Sequence, residues 1–322
     1  MDSREEHRAL IERLALEAGF ARAATIDLAA LPPEHALADW LERGWAGQMS
    51  YLHRHRAMRL APSQLVPGAR GVICLAASYA GGEPGPIARY ARGRDYHKVL
   101  KSRCRRLMDL LRVHRPDFAG RAFVDAGPVG ERHLAAAAGL GWIGRNGCLF
   151  VPGLGSYVLL AEIFCNLPVP TGGPVAGECG PCQACLVACP TGALQENGQV
   201  DARRCLSYLT IEHKGPIAPS PAACWGDRIF GCDACQEACP HNQTVLAGDE
   251  ELTGEYWQAR GVPGPLGGAG AREIALWTPE DWAAATAGSA IRRASLEQLH
   301  RNAGLAAAAT GRKTGNSLKG GG

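Results

Sequence analysis

Nine of the chain's thirteen cysteines stand between Cys179 and Cys239, and their spacing limits what this segment can fold around. Cys179, Cys182, Cys185 and Cys189-Pro190 follow the pattern C-x2-C-x2-C-x3-C-P. That spacing wraps three thiolates around one corner of a 4Fe-4S cubane and sends the fourth to a neighbouring cluster. A second copy runs through Cys232, Cys235 and Cys239-Pro240, but Ile229 occupies the position three residues before Cys232. The two copies therefore hold seven ligands where two clusters need eight, and Cys205 and Cys224 are the candidates for the missing one. A pair of zinc ribbons would not use an x3 step followed by proline, and no histidine stands where a ribbon would place it. A disulfide framework is excluded by the expected compartment. The opening MDSREEHRALIERLALEAGF reads as a charged amphipathic helix rather than a signal peptide, and the cytosol, where the chain is expected, keeps thiols reduced.

The 322 residues correspond to about two domains at ~150 residues each. Residues 1–170 alternate helical patterns with the apolar runs GVICLAASYA, RAFVD and SYVLLAEIFCN, which predict strands in an α/β domain. Pro168, Pro170, Gly172, Gly173 and Pro174 break the pattern before the cysteine segment, residues 171–245. Residues 246–309 read as a short helical region, with Thr278 and Pro279 as an N-cap and N1 pair. Residues 310–322, glycine-rich and basic, read as a disordered tail. No apolar run reaches the ~18 residues of a membrane helix. Two clusters pass single electrons, so something must consume them, and the amino-terminal domain is the expected consumer.

Other signals are weaker. Gly139, Gly141 and Gly144 match G-x-G-x-x-G, but they follow the helical stretch ERHLAAAA instead of a strand, which argues against a dinucleotide site. No G-x4-G-K-[ST] string is present. Between Arg89 and Arg106, eight Lys or Arg face the single acid Asp95, and Arg292, Arg293, Arg301, Arg312 and Lys313 form a second basic region. A charge run is usually a solvated helix face, yet two such regions in a chain of net charge +3 favour a polyanion such as RNA. Asp125 closes the RAFVD run ahead of Gly127-Pro128 and a helix beginning near Glu131. An aspartate so placed usually caps a turn. At the end of a buried strand it could instead be desolvated, its pKa raised towards neutrality, and serve as a general acid.

The stretches IARYARGRDYHKVL, FVDAGPVGERHLAAAAGLGWIGRN, CGPCQACLVACPTGAL, RRCLSYLTIEHKGPI, GCDACQEACPHN and SAIRRASLEQLHRNAG together resemble the epoxyqueuosine reductases, in order and to about residue 305. The resemblance implies an N-terminal α/β cobalamin-binding domain, a ferredoxin-like two-cluster domain and a short helical C-terminal region. The implied activity is reduction of epoxyqueuosine to queuosine at the wobble position of tRNA, with electrons passing through two 4Fe-4S clusters to cobalamin. Asp125 matches the family's proton donor, and Cys205 matches the ligand between the two ferredoxin copies. The crossed pattern assigns Cys179, Cys182, Cys185 and Cys239 to one cluster and Cys189, Cys205, Cys232 and Cys235 to the other. Arg59, Ala88, Asp125, Ser207 and Asp233 correspond to the corrinoid site, and Ala88 stands where some relatives have a cysteine. His213 and Lys214 fall in the matching TIEHKG stretch without an assigned contact. Some relatives carry helical repeats after the last basic helix, where this chain stops. The D-x-H-x-x-G string of base-off corrinoid proteins is absent, so His97 is not expected to be an axial ligand. The expected partners are tRNA and an external donor of flavodoxin or ferredoxin type, and the expected state is a monomer. The alternatives are a corrinoid reductase of a small molecule, in the manner of reductive dehalogenases, and a non-catalytic iron-sulfur electron carrier.

Overall fold

The computed structural model describes residues 3–34, 36–173 and 175–316, with side chains from Arg4 to Thr310. Helix α1 (Ser3–Glu17) leads into a four-stranded antiparallel sheet of β1 (Arg22–Asp27), β2 (Gly71–Ser78), β3 (Gly120–Phe123) and β6 (Val158–Cys165), in the order β1-β2-β6-β3. Strands β4 (Trp142–Ile143) and β5 (Leu149–Phe150) form a separate hairpin. The three runs that read as strands are β2, β3 and β6. Every residue of β2 is buried, because both faces of the sheet are covered. Ile73, Leu75 and Ile163 pack on one face against α1 and against α3 (Tyr96–His114), which follows α2 (Arg56–Leu60). Cys74, Phe123 and Phe164 pack on the other face beneath Leu134 and Ala135 of α4 (Glu131–Ala137). Burying each such large side chain contributes roughly 1.5–3 kcal/mol.

Local chemistry sets the ends of α3. The Asp95 side chain caps it by accepting from the His97 backbone N–H at 3.1 Å, Val99, Leu100, Cys104, Leu107 and Leu111 form its buried stripe, and Pro116 follows its C-cap, Arg115. Gly139, at φ +78°, terminates α4, and a Cβ on Gly141 would strike the Phe150 carbonyl. The glycine triplet thus closes a helix and admits a hairpin, as its context implied.

A third core joins the cysteine segment to the C-terminal region. Leu206 and Leu209 of α6 (Leu206–Ile211), after α5 (Ala184–Ala188), pack with Trp225, Phe230, Ile274, Ile291 and Leu299. Helix α7 (Ala234–Glu237) carries Cys235, and α8 (Pro279–Ala285) begins with the expected Thr278 N-cap and Pro279, the cap completed as a capping box by Asp281. The C-terminal region also binds back onto the first domain. The Gly248 and Asp249 N–H groups donate to the Ala80 and Ser78 carbonyls, and the Asp95 N–H donates to Gly288. The tail expectation needs correction at its start: α9 (Leu296–Asn316) continues through residues 310–316, because the alanine-rich run carries the helix past Ala309, while 317–322 lie outside the described residues. Among the described residues, no helix is long and apolar enough to cross a membrane.

Glu162, on β6 opposite Cys74 and Phe123, is fully buried and neither carboxyl oxygen has a partner. Burial pushes its pKa well above the carboxylate range, with the charges of Glu131 and Asp125 adding to the shift. The folded chain therefore keeps a proton that the unfolded chain releases near pH ~4.3, and stability is lost as pH rises above that value. Glu162→Gln removes this titration. Its melting temperature is expected to gain on the parent's from about pH 5 to about pH 8, by up to about 1.4 kcal/mol of stability per pH unit. A constant difference would show that the parent carboxyl does not titrate abnormally.

Candidate active site

A cleft of about 630 Å³ opens where the first domain meets α6, and Arg59, Asp125, Cys205, Ser207 and Arg293 all line it. Strand β3 ends at Phe123, so Asp125 is not a strand residue as the sequence suggested. It lies in the following loop in the left-handed region, at φ +56°. The Arg59 guanidinium, reaching from α2, donates to the carbonyls of Val129 at 2.5 Å and Gly127 at 3.0 Å and so clamps that loop.

The Asp125 carboxylate accepts from the Tyr96 hydroxyl at 2.8 Å and lies 3.0 Å from His97 Nε2, while His97 Nδ1 lies 2.8 Å from Asp95 Oδ1. The hydrogen bond from His97 holds the Asp125 pKa below its usual value, against the effect of burial. This overturns the expectation of a raised Asp125 pKa. Bonded first to Asp125 and then to Asp95, His97 is pushed up to about 9, so the site's proton resides on its imidazole at neutral pH. Tyr96, stacked on His97 at 4.0 Å between centroids, completes the network. Sequence reading missed the roles of Tyr96 and His97. The Asp95-Tyr96-His97 triplet was visible, but nothing in the spacing brings it to Asp125.

The cysteines fall into two neighbourhoods. Cys179, Cys182, Cys185 and Cys239 line one cavity of about 150 Å³. Cys205 lies within electrostatic reach of Cys232 and Cys189, and Cys235 within reach of Cys205, Cys232 and Cys189. Cys224 is exposed, at the C-cap of the short helix Pro219–Ala223. Several sulfurs accept hydrogen bonds, Cys179 from the Arg145 N–H at 3.2 Å, Cys189 from the Ala193 N–H at 3.3 Å and Cys232 from Arg228 Nε at 3.1 Å. Such bonds help set the potential of a cluster. Among the described residues, no three His, Cys, Asp or Glu side chains converge as the ligands of a single ion would.

The structure does not bring every expected corrinoid residue to the cleft wall. Arg59, Asp125 and Ser207 line the cleft, whereas Ala88 and Asp233 are buried beside it. The Asp233 carboxylate accepts from the Arg89 N–H at 2.7 Å, and Ala88 packs against Gly231. Lys214 lines a second cavity, of about 700 Å³, together with Trp282 and Arg292, and Arg293 is common to both cavities. His213 turns its ring to the Pro216 carbonyl at 3.1 Å. The first basic run is only partly a free surface. Arg89 is paired with Glu237 at 2.6 Å, Arg103 with Asp249 and Glu251 at 2.9 Å each, Arg94 with Glu251, and Arg92 donates to the Ile87 and Glu83 carbonyls, which leaves Lys98, Lys101, Arg105 and Arg106 exposed.

Cys205, a thiol of the cluster-spaced segment, on one wall of a cleft and a protonated network on the other are the features of an iron-sulfur oxidoreductase. Residues 178–242 match the family described as "4Fe-4S double cluster binding domain", and residues 59–126 match "Epoxyqueuosine reductase QueG, DUF1730". The epoxyqueuosine reductase of Pseudomonas aeruginosa is 39% identical, over 89% of this chain and 81% of its own length. An epoxyqueuosine reductase solved with a tyrosine-tRNA stem loop carrying epoxyqueuosine superposes with a TM-score of 0.78 at 28% identity, covering 95% of this chain and 81% of that one. One from Bacillus subtilis, with a catalytic aspartate loop swung out of its active site, gives 0.79 at 27% identity, covering 95% and 82%. The chain belongs to the epoxyqueuosine reductase family.

Proposed function

We propose that this chain reduces the epoxide of epoxyqueuosine at the wobble position of tRNA to the alkene of queuosine, using two 4Fe-4S clusters, cobalamin and a proton delivered through Asp125. The observation that carries the reading is that Asp125 and Cys205 line the same cleft. Converting an epoxide to an alkene and water consumes two electrons and two protons, so a site for it must bring an electron route and a proton route to one place. Turnover of epoxyqueuosine-containing tRNA by the anaerobically purified protein, followed by nucleoside analysis, tests the activity directly.

The cleft fits a corrinoid. Trp40, Met49 and Tyr90 give it apolar walls suited to a macrocycle face, and the buried Arg59 Nε lacks a partner within the protein, a donor suited to a peripheral amide carbonyl. When bound, cobalamin supplies a low-potential cobalt that delivers electrons to the substrate. Arg59 and Ser207 would hold it from the cleft, with Ala88 and Asp233 supporting the wall behind. The first cysteine set, with Cys182 exposed, is suited to receive electrons from a flavodoxin- or ferredoxin-type donor, and the second reaches the cleft through Cys205. Asp125 accepts the His97 proton and passes it to oxygen as the first C–O bond breaks, and after His97 is reprotonated from solvent the same relay supplies the second proton as the oxygen leaves as water, since a carboxylate between an imidazolium and the substrate can relay a proton without storing it.

The exposed part of the basic run is assigned to tRNA phosphates. Replacing Lys101, Arg105 and Arg106 together with serine is expected to weaken tRNA binding and to flatten the slope of log K against log salt by roughly 0.7–0.9 for each phosphate left without its cation. Arg103→Ser is expected to leave that slope unchanged, since its guanidinium is already occupied by Asp249 and Glu251. An unaltered slope in the triple variant would return this surface to an ordinary solvated helix face.

A further inference from the structure

The Asp125 loop is fastened at more points than a turn needs. Its left-handed φ is one that few non-glycine residues adopt, aspartate being among the more tolerant. Tyr96 and His97 hold the side chain, and Arg59 holds the carbonyls of Gly127 and Val129. The Asp125 backbone N–H donates to Glu131 Oε1 at 2.7 Å, at the start of α4. We propose that Glu131 is a positioning residue for Asp125, its ionised carboxylate latching the loop inward and its protonation loosening the latch. This rests on the reading of Asp125 as the residue that delivers the proton.

The charge on Glu131 matters because an N–H bond to a carboxylate is about twice as strong as one to a neutral acceptor. The groups facing it come from every packed element: Arg59 on α2, Tyr96 on α3, Asp125 in the loop, Cys74 on β2, Glu162 on β6 and Arg132 on its own helix. Desolvation, followed by the Asp125 charge, pushes Glu131 up to about 7, against Arg59 and Arg132. The latch therefore titrates near neutrality. Glu162 faces Glu131 as a buried acid and gains its own raised pKa partly from it, so the two carboxyls disfavour each other's ionisation.

Hydrogen exchange of the holoenzyme between about pH 5.5 and about pH 8.5 tests this, with the peptide spanning residues 124–130 corrected for intrinsic exchange against the β6 peptide. In the parent, protection of the loop is expected to rise about five- to tenfold as pH passes ~7. In Glu131→Gln it should be flat and low, and kcat should fall by a similar factor with KM and iron content unchanged. Glu131→Asp should restore part of the pH dependence. Loop protection in the parent that ignores pH overturns the proposal, and this arm needs no variant to fold. If the loop responds to pH and to Glu131→Gln while turnover does not change, the latch stands and the assignment of Asp125 as the proton donor falls.

Discussion

Asp125→Asn is expected to retain both clusters, cobalamin and tRNA affinity while turnover of epoxyqueuosine-containing tRNA falls at least ~100-fold, within the range that general acid catalysis typically contributes. The amide keeps the shape that accepts the Tyr96 hydroxyl, but it cannot take the proton of His97 and hand it on. It also removes the largest cause of the raised His97 pKa, so the imidazole holds its proton less firmly, with Asp95 alone left to raise its pKa. In the parent, turnover is expected to decline as pH rises through about 9, where His97 deprotonates. The sign for folding is the same, since the raised His97 pKa contributes stability that is complete below about 6.5 and gone above about 9. Nucleoside analysis after single turnover, with the cobalamin spectrum recorded on the same preparation, decides the matter. Normal turnover, or a loss traced to missing cobalamin, would leave Asp125 as a structural residue and place the proton donor elsewhere.

Cys205→Ala is expected to lose one cluster, and with it about half the iron, whereas Cys224→Ala keeps both, because eight thiolates serve two clusters and only one is missing from the paired motifs. Cys205 lies among the thiols of Cys189 and Cys232, while Cys224 is exposed outside that group. Anaerobic iron and sulfide analysis of both variants is the measurement. Iron loss in Cys224→Ala with none in Cys205→Ala would reverse the ligand assignment. Because Cys205 also lines the cleft, its variant should abolish turnover even with the first cluster intact.

Much of this was legible in the chain because it is local. Ligand spacing at x2 and x3, the apolar runs of β2 and β6 and the Thr278 cap are short-range patterns with one dominant physical solution each. The ionisation of Asp125 was not legible, since it depends on His97, twenty-eight residues earlier and brought in by the packing of α3. Seen alone, the strand before Asp125 implied desolvation and a raised pKa, and a hydrogen-bonded imidazole outweighed it. The basic run misled for the same reason. Arg103 reads as one more surface cation until Asp249 and Glu251 arrive from the far end of the chain.

That long return has a consequence for how the enzyme is made. All eight cysteines of the two sets have been synthesised by residue 239, but the hydrogen bond from Asp95, whose side chain caps the helix bearing Tyr96 and His97, awaits Gly288. The core beneath α6 likewise awaits Ile291 and Leu299. Thiols able to collect iron therefore emerge before the wall that gives their electrons a destination, and contacts of such wide sequence separation are slow to form. The cysteine segment is not a cassette that could be excised and kept intact. Its interior is closed by residues synthesised after it, so the electron route and the chamber it serves are completed together.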